Sequence, residues 1–369
     1  MRAKHSFLLV IILLLAAGLL IKFYCSRPQA WEEKLETATE LVRAGDDRAA
    51  IPLLRDLVGR GEDRDQTEPV ALLLSRVLAR QTDYSAAEEI WKELATFDDP
   101  GLREEVSFQL ARIAAGRGEP GLLDEFLDRY PASPRRGEAL RARGDLRQAA
   151  GDLSGVEEDY RAVLNSPGPE EPRTEARARL GKINFDRLFS REDASLTLSY
   201  PVRSGDSLSA IARKHTTTAD LIQLLTRLPG DVIHPGQKLQ IPARSFSVRV
   251  SKSKNSLTLL YGGEFFKEYS VGTGRDNCSP VGEFTIVTKL IDPPWFYGGE
   301  VIDPSDERNI LGTRWMGFQD PYATYGIHGT TQPETVGTQS SDGCVRMRNE
   351  EVEELFIFLP RGSRVVIEE

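Results

Sequence analysis

The chain is poor in the residues that most often build disulfide frameworks and metal sites. It has three cysteines, Cys25, Cys278 and Cys344, and four histidines, His5, His215, His234 and His328. Three cysteines without a C-x-x-C pair exclude a disulfide-built scaffold and offer no zinc-ligand spacing. A positive surplus is missing as well: 47 Lys and Arg against 56 Asp and Glu leave a net charge of -9. Neutralising phosphates needs the opposite sign, so no nucleic-acid partner is expected. What the chain does have is length. Its 369 residues exceed one average domain, and two to four are expected.

The N-terminus, MRAKHSFLLVIILLLAAGLLIKFYC, carries Arg2 and Lys4 and is then apolar from Phe7 to Ile21. Continued as a helix to Cys25, with Lys22 snorkelling, the run reaches about 28 Å, against roughly 30 Å for a hydrocarbon core. Residues 1–25 are therefore expected to be a membrane anchor or signal segment, with basic residues holding the N-terminus in the cytoplasm and the rest of the chain outside. The small residues Ala16, Ala17 and Gly18 fall inside the run, which favours an uncleaved anchor. Tyr24 precedes Cys25 where lipidation would want a small residue.

From residue 29 to 190 the pattern is helical and periodic. The turns AGDD (44–47), QTDY (81–84), RGEP (117–120) and AGDL (150–153) recur every 33 to 37 residues, each followed by a helical stretch such as YSAAEEIWKEL. The period and turn chemistry resemble tetratricopeptide-like helix-turn-helix repeats. Such an array serves as a spacer or as a groove for a protein partner, and neither use is catalytic.

Residues 199–243 read differently: a short strand, a Gly-Asp turn into a helix, a second helix, and a strand after a Pro-Gly turn. This βααβ unit closely resembles a LysM module, through Val202, Gly205, Asp206, Ser207, Leu208, Ile211 and Ala212 and the closing run Pro235 to Pro242. The resemblance implies binding of peptidoglycan glycan strands. Thr226 departs from the pattern, near a place where the family usually carries Asn.

The last block, 246–369, alternates apolar and polar residues in SFSVRVSKSKNSLTLLY and TIVTKL and is expected to be mostly β. It holds one histidine, His328, which excludes a multi-histidine zinc hydrolase site and leaves one candidate base. Fifteen residues separate His328 from Cys344. A free thiol is only about 3% thiolate at neutral pH, so a cysteine nucleophile needs a nearby imidazole or helix N-terminus. The imidazole needs an orienting acceptor, for which the Gly329 carbonyl is well placed in sequence, and the N–H groups of Gly343 and Cys344 could receive an oxyanion. On these residues alone, a buried structural thiol and a nucleophile remain alternatives.

The surrounding words YGIHGT and SDGCVRM, with VGTG (271–274), SPVGEF (279–284) and LGTRWMGF (311–318), resemble the YkuD-type L,D-transpeptidase catalytic domain. The resemblance implies that Cys344 is the nucleophile, His328 the general base and acid, Gly329 the carbonyl that orients it, and Gly343 an oxyanion-hole residue. It further implies that Arg346 anchors the substrate or the loop and that Ser341 holds the loop. Trp315, Trp295 and Tyr325 are candidate cleft aromatics. Asp342 stands where many members carry a second histidine, and a carboxylate there could raise the thiol pKa. Cys278 lies outside the motif and is read as a core or loop residue.

The activity that the resemblance implies is acyl transfer from peptidoglycan tetrapeptide stems to an amine, in the cell envelope and with no metal or organic cofactor, with an L,D-carboxypeptidase or a non-catalytic wall-binding scaffold as alternatives. The expected fold is multidomain: an α-helical repeat array, a βααβ LysM module and a mostly-β catalytic domain.

Overall fold

The computed structural model describes residues 31–369 except 62–63, 81–83, 95–99 and 191–192. The apolar run 1–25, with Cys25 and His5, lies outside the described residues. No helix among the described residues is long and apolar enough to cross a membrane. Two compact units divide the chain, Met1–Pro172 and Arg173–Glu369.

The first unit is helical: α1 (31–43), α2 (Asp47–Arg60), α3 (Arg64–Arg80), α4 (Tyr84–Leu94), α5 (Pro100–Gly116), α6 (Gly121–Arg129), α7 (Arg136–Ala149), α8 (Leu153–Leu164) and the start of α9 (Glu170–Ser190). The recurring turns share one geometry. At Gly45, Gly118 and Gly151, φ is +78, +85 and +78°, and the next residue's N–H reaches back five residues, as from Asp46 to Leu41 O. This is the Schellman helix stop, which a β-carbon disfavours. In the two AGD turns the aspartate then starts the next helix, Asp46 accepting from Ala49 N and Asp152 from Gly155 N. The QTDY turn falls mostly outside the described residues.

Apolar spacing explains the packing. In α4, Ala87 and Trp91 sit one turn apart and are fully buried, with Leu54, Leu57, Leu74 and Val77 in the same cluster. Between α7 and α8, Gly144 makes room for Tyr160, since a β-carbon there would lie 2.9 Å from its ring. Asp159, fully buried, accepts from Arg143 Nη2 at 2.6 Å and pairs with Arg147 at 3.1 Å. Burial raises the Asp159 pKa, and these guanidinium groups oppose the rise.

The second unit contains the expected βααβ module: β1 (Thr197–Pro201), α10 (Leu208–Lys214), α11 (Ala219–Thr226) and β2 (Lys238–Pro242). Strands β1 and β2 pair antiparallel. Ser207 and Thr218 cap the two helices by accepting from Ala210 N and Leu221 N. Thr226 Oγ1 accepts from Gln240 N at 2.9 Å, so the departing residue ties α11 to β2. Val202, Leu208, Ile211, Ile222, Leu239 and Ile241 form the module's own small core. Leu221 and Leu225, on the other face of α11, instead join the core of the following domain, and Thr218 donates its hydroxyl to Ile357 O.

The rest is mostly β, as expected. Its strands are β3 (Phe246–Ser251), β4 (Ser256–Tyr261), β5 (Glu264–Ser270), β6 (Thr273–Gly274), β7 (Gly282–Ile291), β8 (Trp295–Tyr297), β9 (Glu300–Ile302), β10 (Arg314–Phe318), β11 (Gly326–His328), β12 (Gln339–Ser341), β13 (Val345–Arg346) and β14 (Arg364–Glu368). Eight of them form one sheet in the order β13-β11-β10-β7-β14-β3-β4-β5. The alternation in FSVRVS turns Phe246, Val248 and Val250 inward. Helix α12 (Asn349–Phe358) covers the sheet through Val352, Leu355 and Phe358. Phe358 meets Phe246, Phe266, Phe185 and Phe189 with centroids 4.9 to 6.4 Å apart. Two of these rings come from α9, whose Asn184 also donates to Phe266 O at 2.9 Å. The last turns of α9 therefore pack into the core of the β domain.

Candidate active site

The sheet order places the two candidate segments side by side. Strand β11 ends on His328, and β13, which follows Cys344 directly, pairs with it in parallel, setting Ile327 against Val345 and His328 against Arg346. Met347 N donates to His328 O at 2.9 Å and continues the pairing. Hydrophobic Ile327 and Val345 are fully buried, so the core locks the register that the polar residues need.

His328 is buried, with Nδ1 at 2.5 Å from Gly329 O and its ring stacked on Trp315, 5.7 Å between centroids at 25°. A carbonyl oxygen can only accept. Nδ1 therefore carries the proton, leaving Nε2 as the acceptor nitrogen. Burial lowers the imidazole pKa to about 4; the Gly329 and Leu311 carbonyls oppose this fall and the nearby Arg346 charge adds to it.

Cys344 is partly exposed yet closely ringed by protein, and its thiol contacts Thr324 O at 3.7 Å. Burial raises its pKa to about 11, while the Gly326 N–H and the Arg346 charge pull the other way. At neutral pH the resting pair is thus thiol and neutral imidazole rather than thiolate and imidazolium.

The turn before Cys344 is held internally. Ser341, buried, donates its hydroxyl to Cys344 O at 2.7 Å and accepts from Gly343 N at 3.1 Å. The Gly343 N–H, expected in an oxyanion hole, is thus engaged in this state, while the Cys344 N–H has no acceptor among the described residues. Gly343 adopts φ +114°, and a β-carbon would lie 2.5 Å from Tyr325 Cε1. The missing side chain makes room for Tyr325, a partner that sequence reading does not reveal.

Arg346 is 7% exposed, has no carboxylate partner among the described residues and leaves Nε without an acceptor. Its backbone exchanges both hydrogen bonds with Gly272, at 2.8 and 2.9 Å, which brings the VGTG segment to the site. Asp342 pairs with Arg275. It is not among the causes of the thiol's raised pKa, which is a burial effect first. Cys278 is exposed and contacts Ser341 O at 3.9 Å, so it borders the turn and is no core residue.

The structure therefore brings together His328, Gly329, Ser341, Gly343, Cys344, Arg346, Tyr325 and Trp315. Trp295 lies in the β8–β9 hairpin, stacked on Tyr297 at 4.5 Å, with no described contact to His328 or Cys344. No group of three or more potential metal ligands occurs among the described residues. The β11–β13 pairing thus brings a neutral imidazole and a thiol onto adjoining segments with the buried Arg346 beside them, and a nucleophile with a base is what acyl transfer through sulfur requires.

Family models match the LysM and mostly-β parts of this architecture. Residues 245–367 match the YkuD family, the L,D-transpeptidase catalytic domain, and residues 200–242 match the LysM domain family. The chain is 42% identical over 125 residues to "Putative L,D-transpeptidase YqjB" of Bacillus subtilis (strain 168), covering 32% of this chain and 69% of that protein. It is 32% identical over 178 residues to "Putative L,D-transpeptidase YkuD" of the same organism, covering 46% of this chain and 98% of that protein. An L,D-transpeptidase crystal structure from Mycobacterium tuberculosis H37Rv aligns at 14% identity with a TM-score of 0.29, covering 37% of this chain and 75% of that one.

Proposed function

The chain belongs to the YkuD family of L,D-transpeptidases, and from that membership we propose that it is a cysteine acyltransferase acting on peptidoglycan tetrapeptide stems. Cys344 attacks the carbonyl of the L-centre at the third residue of a donor stem, and its thiol proton passes to His328 Nε2. The tetrahedral oxyanion is received by the Cys344 N–H, and by the Gly343 N–H once Ser341 Oγ releases it. The C–N bond then breaks, the imidazolium returns its proton to the leaving D-alanine amine, and a thioester remains. An amine of a second stem attacks the thioester, forms the new amide and regenerates the thiol, giving a 3→3 cross-link.

Support comes chiefly from the His328 Nδ1 contact with Gly329 O at 2.5 Å, which makes Nε2 the basic nitrogen, on the strand paired with the one that follows Cys344. Because both groups rest in their neutral forms, the thiol gives up its proton to His328 within the acylation half-reaction and not in the resting enzyme. Arg346, a buried cation without a carboxylate, would hold an anionic group of the stem. Tyr325 and Trp315 would flank the stem peptide, Trp315 while also backing the imidazole. The LysM module would hold the glycan strand. The apolar run 1–25 would anchor the chain in the cytoplasmic membrane with these parts outside, and the helical array would space them or receive a protein partner.

The test is mass spectrometry of disaccharide-tetrapeptide incubated with the purified full-length chain, beside Cys344→Ala. A cross-linked dimer lacking one D-alanine, absent from the variant, is the expected product. Tripeptide monomer alone would reassign the chain as an L,D-carboxypeptidase, and unchanged substrate with folded, reduced protein would make it a wall-binding scaffold.

A further inference from the structure

Asn349 opens α12, five residues after Cys344, and has no part in the site as described so far. Its side-chain oxygen accepts two backbone hydrogen bonds, from Thr330 N at 3.1 Å and from Thr313 N at 3.3 Å. The two donors lie on the segments that surround His328. Thr330 follows Gly329, whose carbonyl meets Nδ1. Thr313 lies between Leu311, whose carbonyl also favours the protonated ring, and Trp315, which stacks on it.

Local sequence is shaped around this oxygen. A β-carbon on Gly329 or on Gly312 would come within 2.2 Å of Asn349 Oδ1. Two glycines on separate segments are thus needed for one amide oxygen to enter between them. Gly329 N, in turn, donates to Arg314 O at 3.1 Å, tying the same two segments together directly.

The geometry of the peptide unit supplies the mechanism. Gly329 C=O and Thr330 N–H belong to one planar group and, in a trans peptide, point in opposite directions. Fixing the N–H on Asn349 therefore fixes the direction of the carbonyl. We propose that Asn349 is a positioning residue: by holding the 329–330 peptide it aims Gly329 O at His328 Nδ1, which keeps the proton there and Nε2 free as the base. This rests on the reading of His328 as the general base, but the tautomer it concerns can be measured without any turnover.

The experiment uses the full-length chain and its Asn349→Ala and Asn349→Asp variants, with His328→Gln to assign the imidazole signals. Nitrogen NMR reads the His328 tautomer, and tetrapeptide turnover gives kcat and KM across pH. In the parent chain His328 is expected as the Nδ1–H tautomer. Asn349→Ala is expected to give a tautomer mixture and to lower kcat about 10- to 100-fold with KM little changed, as misorientation of a reacting group does. Asn349→Asp keeps an oxygen acceptor at that point, so it should restore the tautomer and most of kcat. Its added negative charge should move the acid limb of the profile to higher pH.

A single Nδ1–H tautomer in folded Asn349→Ala would overturn the proposal, whatever the activity. A tautomer mixture in a variant whose turnover, like that of His328→Gln, equals the parent's would uphold the positioning and overturn the base assignment instead. Should Asn349→Ala fail to fold, Asn349→Ser, a favourable residue at a helix start but too short to serve both donors, carries the same two readouts.

Discussion

Arg346 stands directly across from His328 in the parallel pairing of β11 and β13, a buried cation with no carboxylate partner among the described residues beside a buried imidazole. Burial, then this charge, keeps the ring neutral down to pH about 4. The profile of kcat/KM should accordingly be flat through neutral pH and fall only near 4. Arg346→Gln removes a charge that disfavours imidazolium, so the acid limb should move upward. A limb near 6.5 in the parent chain would mean that the imidazole of the free enzyme is not sequestered.

The same shift has a stability consequence. Unfolded His328 takes up a proton below about 6.5, whereas the folded residue waits until about 4. The stability present above 6.5 is therefore lost as pH falls through this window, by about 3 kcal/mol for this one group. Urea midpoints at the two ends of the window, compared between the parent and His328→Gln, isolate it from the carboxylates. The variant should lose less stability on acidification.

Alkylation should separate the two described cysteines. Cys278 is exposed, while the Cys344 thiol is ringed by protein with its pKa pushed up to about 11. The thiolate is the reactive form. Iodoacetamide at neutral pH should therefore label Cys278 first, with Cys344 following only as pH rises, and peptide mapping reads the order. Fast labelling of Cys344 at neutral pH would show that the resting thiol is ionised.

Gly343→Ala places a β-carbon against the Tyr325 ring at φ +114°, and a loss of roughly 1–3 kcal/mol is expected. Tyr325→Ala in the same chain should recover the steric part and leave the backbone part. The double-mutant cycle measures that coupling, and its absence would mean that the ring simply swings away.

In the helical unit, Asp159→Ala removes the buried carboxylate that holds Arg143 and Arg147. Arg143 keeps Asp124, and Arg147 keeps Asp152 and Glu158, so the loss of these charged hydrogen bonds should cost about 1.5–3 kcal/mol. A thermal melt reads the change, and a shift of under a degree would show that the remaining carboxylates and solvent satisfy the two cations.

The LysM module was legible in sequence because its signals are local: Gly205 turns the chain, and Ser207 and Thr218 cap the helices that follow. The Schellman turns of the array were legible for the same reason. His328 and Cys344 could be paired by their motifs, yet their relation depends on a β11–β13 pairing that no local pattern encodes. Asn349 was missed because its two partners lie 19 and 36 residues away and are backbone groups, which leave no side-chain signature. Asp342 stands two residues from the thiol in sequence, but in space it belongs to Arg275. The end of α9 continues the helical pattern in sequence, whereas Phe185, Leu188 and Phe189 pack into the core of the β domain.

Leu221 and Leu225 tie the LysM module to its neighbour, since they are buried in the core of the β domain. Two modules joined by a flexible linker would let the thiol sweep every stem within reach of a gripped sugar. A shared core acts as a caliper instead. Under the proposed function, the distance from a sugar held by the module to the Cys344 sulfur would be a constant of the fold, and along a glycan strand with a regular repeat it would select which stem is presented.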